Sequence, residues 1–221
     1  MAPSESEVSF IRKYAGRQGM MLDVGANIGC MALTMAHLRP GLPMHLFEPS
    51  PETFGILQSN IAPHRANPMT AHQMAVGRAG GRTAFLNDAK APALNRLISV
   101  ENQADERSIY VDVISLDEFI GSQGGLDVAF LKIDVEGHEP EVILGAARLF
   151  RDRACSAGLV ELCPANLKQA GHSVAGLLSA VNSQGYRLHH LLPDGAAGAE
   201  VTEGNSGHVE LANAALLPGR S

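Results

Sequence analysis

Tryptophan is absent from this 221-residue chain, and aromatic residues make up only 5% of it. Proteins that hold single-stranded nucleic acid stack bases on aromatic rings, so the chain is poorly supplied for that task. Positive charge is also short: 17 Lys and Arg stand against 23 Asp and Glu, a net charge of −6. Gripping phosphates needs a basic face, and no nucleic-acid partner is expected. Cysteine is scarce and odd in number (Cys30, Cys155, Cys163), with no CxxC spacing. That argues against a disulfide framework and suits a reducing compartment. No window reaches the roughly 18 uninterrupted apolar residues of a membrane helix, and the opening MAPSESEVSF has no basic-then-apolar leader. The expected location is the cytoplasm, with no membrane segment.

What is present is an ordinary globular balance, 45% apolar and 18% charged, in a length that suits one domain with a sizeable core. The chain is organised around LDVGANIG, residues 22–29. Met20–Val24 is an apolar strand, Gly25, Asn27 and Gly29 make a turn, and a helix from Cys30 to Leu38 follows. Strand, glycine turn and helix start let a backbone approach a nucleotide-like ligand closely. Asp23 sharpens this. A carboxylate beside the pyrophosphate of a dinucleotide would be repelled, whereas the ammonium and sulfonium of S-adenosylmethionine would be welcome.

In order along the chain, Ser4 and Glu7 have capping-box spacing for a first helix. Strands are expected at Met44–Phe47, Ala71–Val76, Thr83–Leu86, Ile109–Ile114, Val128–Val135 and Gly158–Cys163. Ser50–Pro51 opens one helix, Pro140 introduces another carrying Val142, Ile143, Ala146 and Leu149, and Ser173 caps a third. Tyr186–Leu192 and His208–Leu217 read as a terminal hairpin joined by a Gly- and Ala-rich connection. Residues 87–108, which include Asn95 and Arg96, keep no period and are the candidate lid. Alternating strands and helices imply an α/β, doubly wound, mostly parallel sheet with helices on both faces. The expected organisation is a single unit over 1–221: an N-terminal helix (1–19), a cofactor-binding core (20–163) and a C-terminal helix and hairpin (164–221).

Ligands of such sheets sit beyond the carboxyl ends of the strands, where Asp23, Glu48, Val76, Asp134 and Glu161 fall. Glu48 follows Gly29 by 19 residues, the position of a ribose-binding acid, or else of a plain acid at a helix entrance. Asp23 has its own alternative, bonding the amides of its turn. The expected cofactor-facing set is Asp23, Gly25, Ala26, Asn27, Gly29, Glu48, Pro49, Ser50, Ala75, Val76 and Asp134. LKIDVEGHE, residues 131–139, leaves several readings open. Asp134 and Glu136 hold cofactor and acceptor, His138 takes a proton from the acceptor, these groups with Glu161 bind a divalent metal, or they cap the helix at Pro140. Glu136 and His138 are the candidate catalytic pair, and metal is not favoured.

Taken together, LDVGANIG, FEPSP (47–51), SLDEF (115–119) and LKIDVEGHEPEVILGA (131–146) resemble the FkbM family of S-adenosylmethionine-dependent methyltransferases from about Met21 to Cys163. The resemblance implies a class I methyltransferase (Rossmann-like) fold, with a seven-stranded sheet whose last strand is antiparallel. It implies cofactor contacts for Asp23, Gly25, Asn27, Glu48 and Asp134. It also implies O-methylation of a hydroxyl on a small molecule, polyketide, sugar or glycolipid, in secondary metabolism or surface glycan synthesis. The chain is short ahead of its first strand, where longer relatives place acceptor-binding structure, so a shortened entrance or one completed by a homodimer is expected. The competing functions are an NAD-dependent oxidoreductase and a non-catalytic adenosyl-ligand-binding protein.

Overall fold

The computed structural model describes residues 2–64, 67–88, 95–98, 106–206 and 212–219. Ser4 and Glu7 close the expected capping box at the start of α1 (Glu5–Tyr14), whose Phe10 and Ile11 turn inward. β1 (Met20–Val24) is buried at every residue, as a strand covered on both faces must be. α2 (Cys30–Leu38), β2 (Met44–Phe47) and α3 (Pro51–Ile61) follow, the last capped by Ser50 with Pro51 as its first residue.

The expected strand Ala71–Val76 is in fact two strands in two sheets, β3 (Met69–His72) and β4 (Ala75–Val76). The Met74 amide turns back to the His72 carbonyl at 3.0 Å, a tight bend at Gln73 that no glycine or proline marks in the sequence. β4 joins β5 (Gly81–Leu86), β6 (Arg96–Ile98) and β7 (Ser108–Ile114) in a small sheet of order β4-β7-β5-β6. β6 lies inside the segment expected to be irregular, while residues 89–94 and 99–105 of that candidate lid lie outside the described residues.

α4 (Leu116–Ser122) and β8 (Val128–Ile133) come next. The helix expected after Pro140 is split into α5 (Glu139–Leu144) and α6 (Ala147–Arg151). At Gly145 the backbone passes so close to Gly77 that a Cβ would overlap its carbonyl oxygen, and the Gly145 carbonyl accepts from the Asp117 amide at 2.9 Å. β9 (Gly158–Leu162), α7 (Pro164–Gln169), α8 (Val174–Ser183), β10 (Tyr186–Leu191), β11 (Ala197–Glu200) and β12 (Ala212–Pro218) complete the chain. α7 and β11 were not expected, and residues 208–211 of the expected last strand lie outside the described residues.

The main sheet has the order β11-β10-β12-β9-β8-β1-β2-β3. Its β1, β2, β3, β8 and β9 are mutually parallel, and β12 is inserted antiparallel between β9 and β10. This is the expected mostly parallel sheet with β11 added as an eighth, edge strand. Neighbouring residues of β8 serve opposite layers: Leu131 packs with Val142, Ile143 and Leu177, and Phe130 with Phe10, Met35 and Leu46. No helix among the described residues is long and apolar enough to cross a membrane.

Candidate active site

Strands β1, β2, β8 and β9 run parallel and end at one rim, where a cavity of about 700 Å³ opens. Its wall begins with the turn after β1. Gly25 and Ala26 donate their amides to the Phe47 carbonyl at 3.0 and 2.9 Å, which fixes the turn to the end of β2. Gly25 has φ +79°, and a Cβ there would overlap the Asp134 carbonyl oxygen. Glycine is therefore required twice over, for the left-handed backbone and for the close approach. Asn27, at φ +48°, bonds the Ile28 amide with its own side chain at 2.8 Å.

Glu48 spans this turn and the start of α3: one carboxylate oxygen accepts from the Asn27 amide at 3.0 Å, the other from the Ser50 amide at 2.9 Å. Burial still pushes its pKa up to about 7, against those two amides. Asp23 is more extreme. It is 1% exposed and its Oδ2 has no partner. Burial lifts its pKa to about 7, opposed by the Lys132 ammonium and reinforced by Asp134 and Glu48. Lys132, 2% exposed, donates to Asp134 Oδ2 at 2.9 Å and to the Ile133 carbonyl at 3.3 Å.

Beyond β8 the chain turns through Glu136 (φ +54°) and Gly137 (φ +103°). The buried Glu139 carboxylate braces this turn by accepting the Val135 and Gly137 amides, each at 3.1 Å. The Asn166 amide group bridges Glu136 at 2.6 Å and Glu161 at 3.3 Å. Burial, with Asp134, Glu136 and Glu139 nearby, pushes Glu161 up to about 8. Oxygens of Asp134, Glu136 and Glu161 lie within 4.8 Å of one another, a group able to hold a cation.

Of the residues expected from sequence, Asp23, Gly25, Ala26, Asn27, Glu48, Pro49, Ala75, Val76, Asp134 and Glu136 line the cavity. Gly29, Ser50 and His138 are not on its wall. Gly29 is the left-handed N-cap of α2, Ser50 caps α3, and His138 sits behind the wall with its Nε2 donating to the Leu97 carbonyl at 2.9 Å. Sequence reasoning passed over Lys132, Glu7, Asn213, Phe85 and Leu97, all of which line it. Glu7 accepts a hydrogen bond from the Asn213 side chain, joining α1 to β12, a pairing across the length of the chain that no local pattern announces.

The strand order, the single inserted antiparallel strand and the acid-lined rim define a class I methyltransferase fold. The structure matches magnesium protoporphyrin IX methyltransferase (ChlM) from Synechocystis PCC 6803, solved with bound SAM, at a TM-score of 0.52 and 11% identity, over 97% of this chain and 77% of that one. Within that class, the chain belongs to the family described as the methyltransferase FkbM domain, whose model matches residues 23–188. It is 31% identical over 142 residues to Methyltransferase 1 of Beauveria bassiana, covering 57% of each chain. It is also 31% identical over 156 residues to 31-O-demethyl-FK506 methyltransferase FkbM of Streptomyces tacrolimicus, covering 57% of this chain and 58% of that one. The chain thus spans rather more than half the length of these relatives.

Proposed function

We propose that this protein is an S-adenosylmethionine-dependent methyltransferase that acts on a hydroxyl oxygen of a small molecule. The observation that carries the reading is the orphaned Oδ2 of Asp23, a buried acid on the wall of a large cavity. An unpaired buried carboxylate is costly, and a positively charged guest relieves it. A pyrophosphate there would add to the repulsion, which disfavours a nicotinamide cofactor. When bound, S-adenosylmethionine supplies a methyl group activated by a positive sulfur.

In this reading Asp23 receives the cofactor's ammonium and Glu48 accepts from its ribose hydroxyls, each Glu48 oxygen having one lone pair beyond its backbone donor. Phe47, Pro49, Ala75 and Val76 line the cavity beside Glu48 and offer an apolar slot for the base. Asp134, steadied by Lys132, faces the reacting end. The acceptor enters beside Glu136, Glu161, Glu7 and Asn213, which share that wall. Transfer to a neutral hydroxyl releases one proton, and Glu136 or Glu161 takes it. His138 is left out of that role because it lies off the wall and its Nε2 already carries a hydrogen toward Leu97. The name of the Streptomyces relative supports oxygen as the methylated atom. The whole of 1–221 is taken as one such unit.

Calorimetric titration with S-adenosylmethionine, S-adenosylhomocysteine and NAD tests the cofactor. The adenosyl compounds are expected to bind, and Glu48→Ala to weaken them by about tenfold or more, as loss of a hydrogen bond to a charged group does. Binding of NAD alone, or unchanged affinity in Glu48→Ala, would overturn the reading. Transfer of label from methyl-labelled cofactor to a panel of hydroxylated acceptors then tests the reaction.

A further inference from the structure

The cavity wall has two parts. Asp23, Glu48 and Asp134 stand at or just beyond the ends of β1, β2 and β8, the part given to the cofactor. α1, β9 and β12 bring Glu7, Glu161 and Asn213 to the other part. Asn213 and Glu161 are direct neighbours across the antiparallel pair β12 and β9, and side chains paired in this way leave one face of a sheet together. Glu7 settles which way round the Asn213 amide stands. Its Oε1 accepts from Asn213 Nδ2, and its Oε2 accepts from the Ser4 amide at 2.6 Å and the Ser4 hydroxyl at 2.7 Å. A carboxylate meets the NH2 side of an amide and repels the oxygen side, so the Asn213 atom left over is Oδ1. That oxygen is buried and has no partner, a costly state until a donor reaches it. Glu161 is 6% exposed, and Asn166 donates only to its Oε2, at a loose 3.3 Å. Two underused oxygens side by side call for a guest that brings hydrogens.

Charge narrows the guest further. Among the described residues of the wall, the acids Glu7, Asp23, Glu48, Asp134, Glu136 and Glu161 face one basic side chain, Lys132, whose ammonium is held by Asp134 at 2.9 Å. The ammonium and sulfonium of S-adenosylmethionine, set against its own carboxylate, leave it a single net positive charge. The wall therefore stays acidic with the cofactor in place. A carboxylate or phosphate on the acceptor would be repelled there, and a neutral acceptor would leave the buried Glu161 unanswered. We propose that the acceptor is an amino alcohol, its ammonium held by Asn213 Oδ1 and Glu161 and its neighbouring hydroxyl methylated. The inference rests on the methyltransferase reading and deepens it by giving the acceptor a charge. As the hydroxyl oxygen bonds to the methyl carbon, the carbon–sulfur bond breaks and sulfur keeps the electron pair. Glu161 is occupied by the ammonium, so the hydroxyl proton passes to Glu136.

Three probes share one ring and differ only in the group beside the hydroxyl: trans-2-aminocyclohexanol, trans-1,2-cyclohexanediol and trans-2-hydroxycyclohexanecarboxylate. Each is titrated by NMR into the full chain saturated with S-adenosylhomocysteine, which fills the cofactor end and transfers nothing. The amine is expected to bind about tenfold more tightly than the diol, the scale of one hydrogen bond to a charged group, and the acid more weakly than either. Glu161→Gln should bring amine and diol to within about threefold of each other, and Asn213→Leu should weaken both. A diol or acid that binds as tightly as the amine, no detectable binding of any probe, or a preference for the amine that survives Glu161→Gln overturns the proposal and leaves the methyltransferase reading standing. If Glu161→Gln does not fold, the order of the three probes on the unaltered protein decides alone. Failure of S-adenosylhomocysteine to bind removes that reading and the proposal together.

Discussion

At Asp23 burial and charge pull in opposite directions, and pH is the handle on that conflict. Its pKa stands at about 7 in the fold against an ordinary 3.8, and that of Glu48 at about 7 against 4.5, in both cases chiefly through burial. A raised pKa means that the folded protein holds the proton more tightly than the unfolded chain. The stability these two acids contribute is therefore complete below about pH 4 and lost as pH rises through 7. His45 and His72 act in the opposite sense. Their ring nitrogens meet at 3.1 Å and burial lowers both pKa values from 6.5, so their contribution is lost as pH falls below about 6.5. Melting curves of the free protein should thus peak at mildly acidic pH and decline toward pH 8. Saturating S-adenosylmethionine should raise Tm more at pH 8 than at pH 5.5, because only ionised acids need its cation. A ligand-induced shift independent of pH would show that these acids do not meet the cofactor's charge. At Gly25 the outcome is structural: Gly25→Ala must accommodate φ +79° and an overlap with the Asp134 carbonyl, so a clear drop in Tm, by the equivalent of about 2 kcal/mol or more, and loss of adenosyl-ligand binding are expected. Residues of this kind were legible because a strand end and a glycine turn fix where an acid must point. Lys132 was not singled out as a site residue, since its place beside Asp23 is set across the sheet.

Secondary structure was legible wherever side chains of its own segment decide it. The capping box at Ser4, Pro51 behind Ser50, and the run Met20–Val24 all set their elements from within. The misses share the opposite character. α7 starts at Cys163 with no side-chain cap, so Pro164 in its first turn is the lone local mark of an opening. The division between α5 and α6 comes from Gly77 pressing on Gly145, a contact made across the fold. The start of α6 also depends on a distant residue: Asp117, in α4, accepts the Arg148 amide at 2.8 Å and the Leu149 amide at 3.1 Å. Asp117→Ala should cost about 1 kcal/mol, the usual value of a lost N-terminal cap, measured by urea denaturation. Asp117→Asn should recover most of it, because a side-chain oxygen remains. The turn held by Glu139 is the element on which Asp134 and Glu136 ride, and Glu139→Ala is expected to disorder both while Glu139→Gln keeps an acceptor for the Val135 and Gly137 amides.

At the scale of the molecule, the doubly wound, mostly parallel architecture followed from alternation of strand and helix and from right-handed connections. What could not follow was how the small sheet and the ends of the chain enclose the rim, because Phe85, Leu97, Glu7 and Asn213 come to it from distant segments. A cavity of about 700 Å³ lined by buried acids leaves the free protein short of its full stability. At a hundredfold excess over Kd, a ligand that binds only the folded state adds about 2.7 kcal/mol, and a thermal-shift assay should register it with S-adenosylmethionine or S-adenosylhomocysteine. Leu131→Ala and Phe130→Ala hollow opposite layers and should each cost several kcal/mol. The antiparallel course of β12 has a practical corollary. Ala2–Ser4 and the Ala212–Asn213 end of β12 border the mouth, whereas Pro218 leaves from the opposite rim of the sheet. A purification tag joined ahead of Ala2 would lie against the cavity, and one joined at the carboxyl end would start from the far rim.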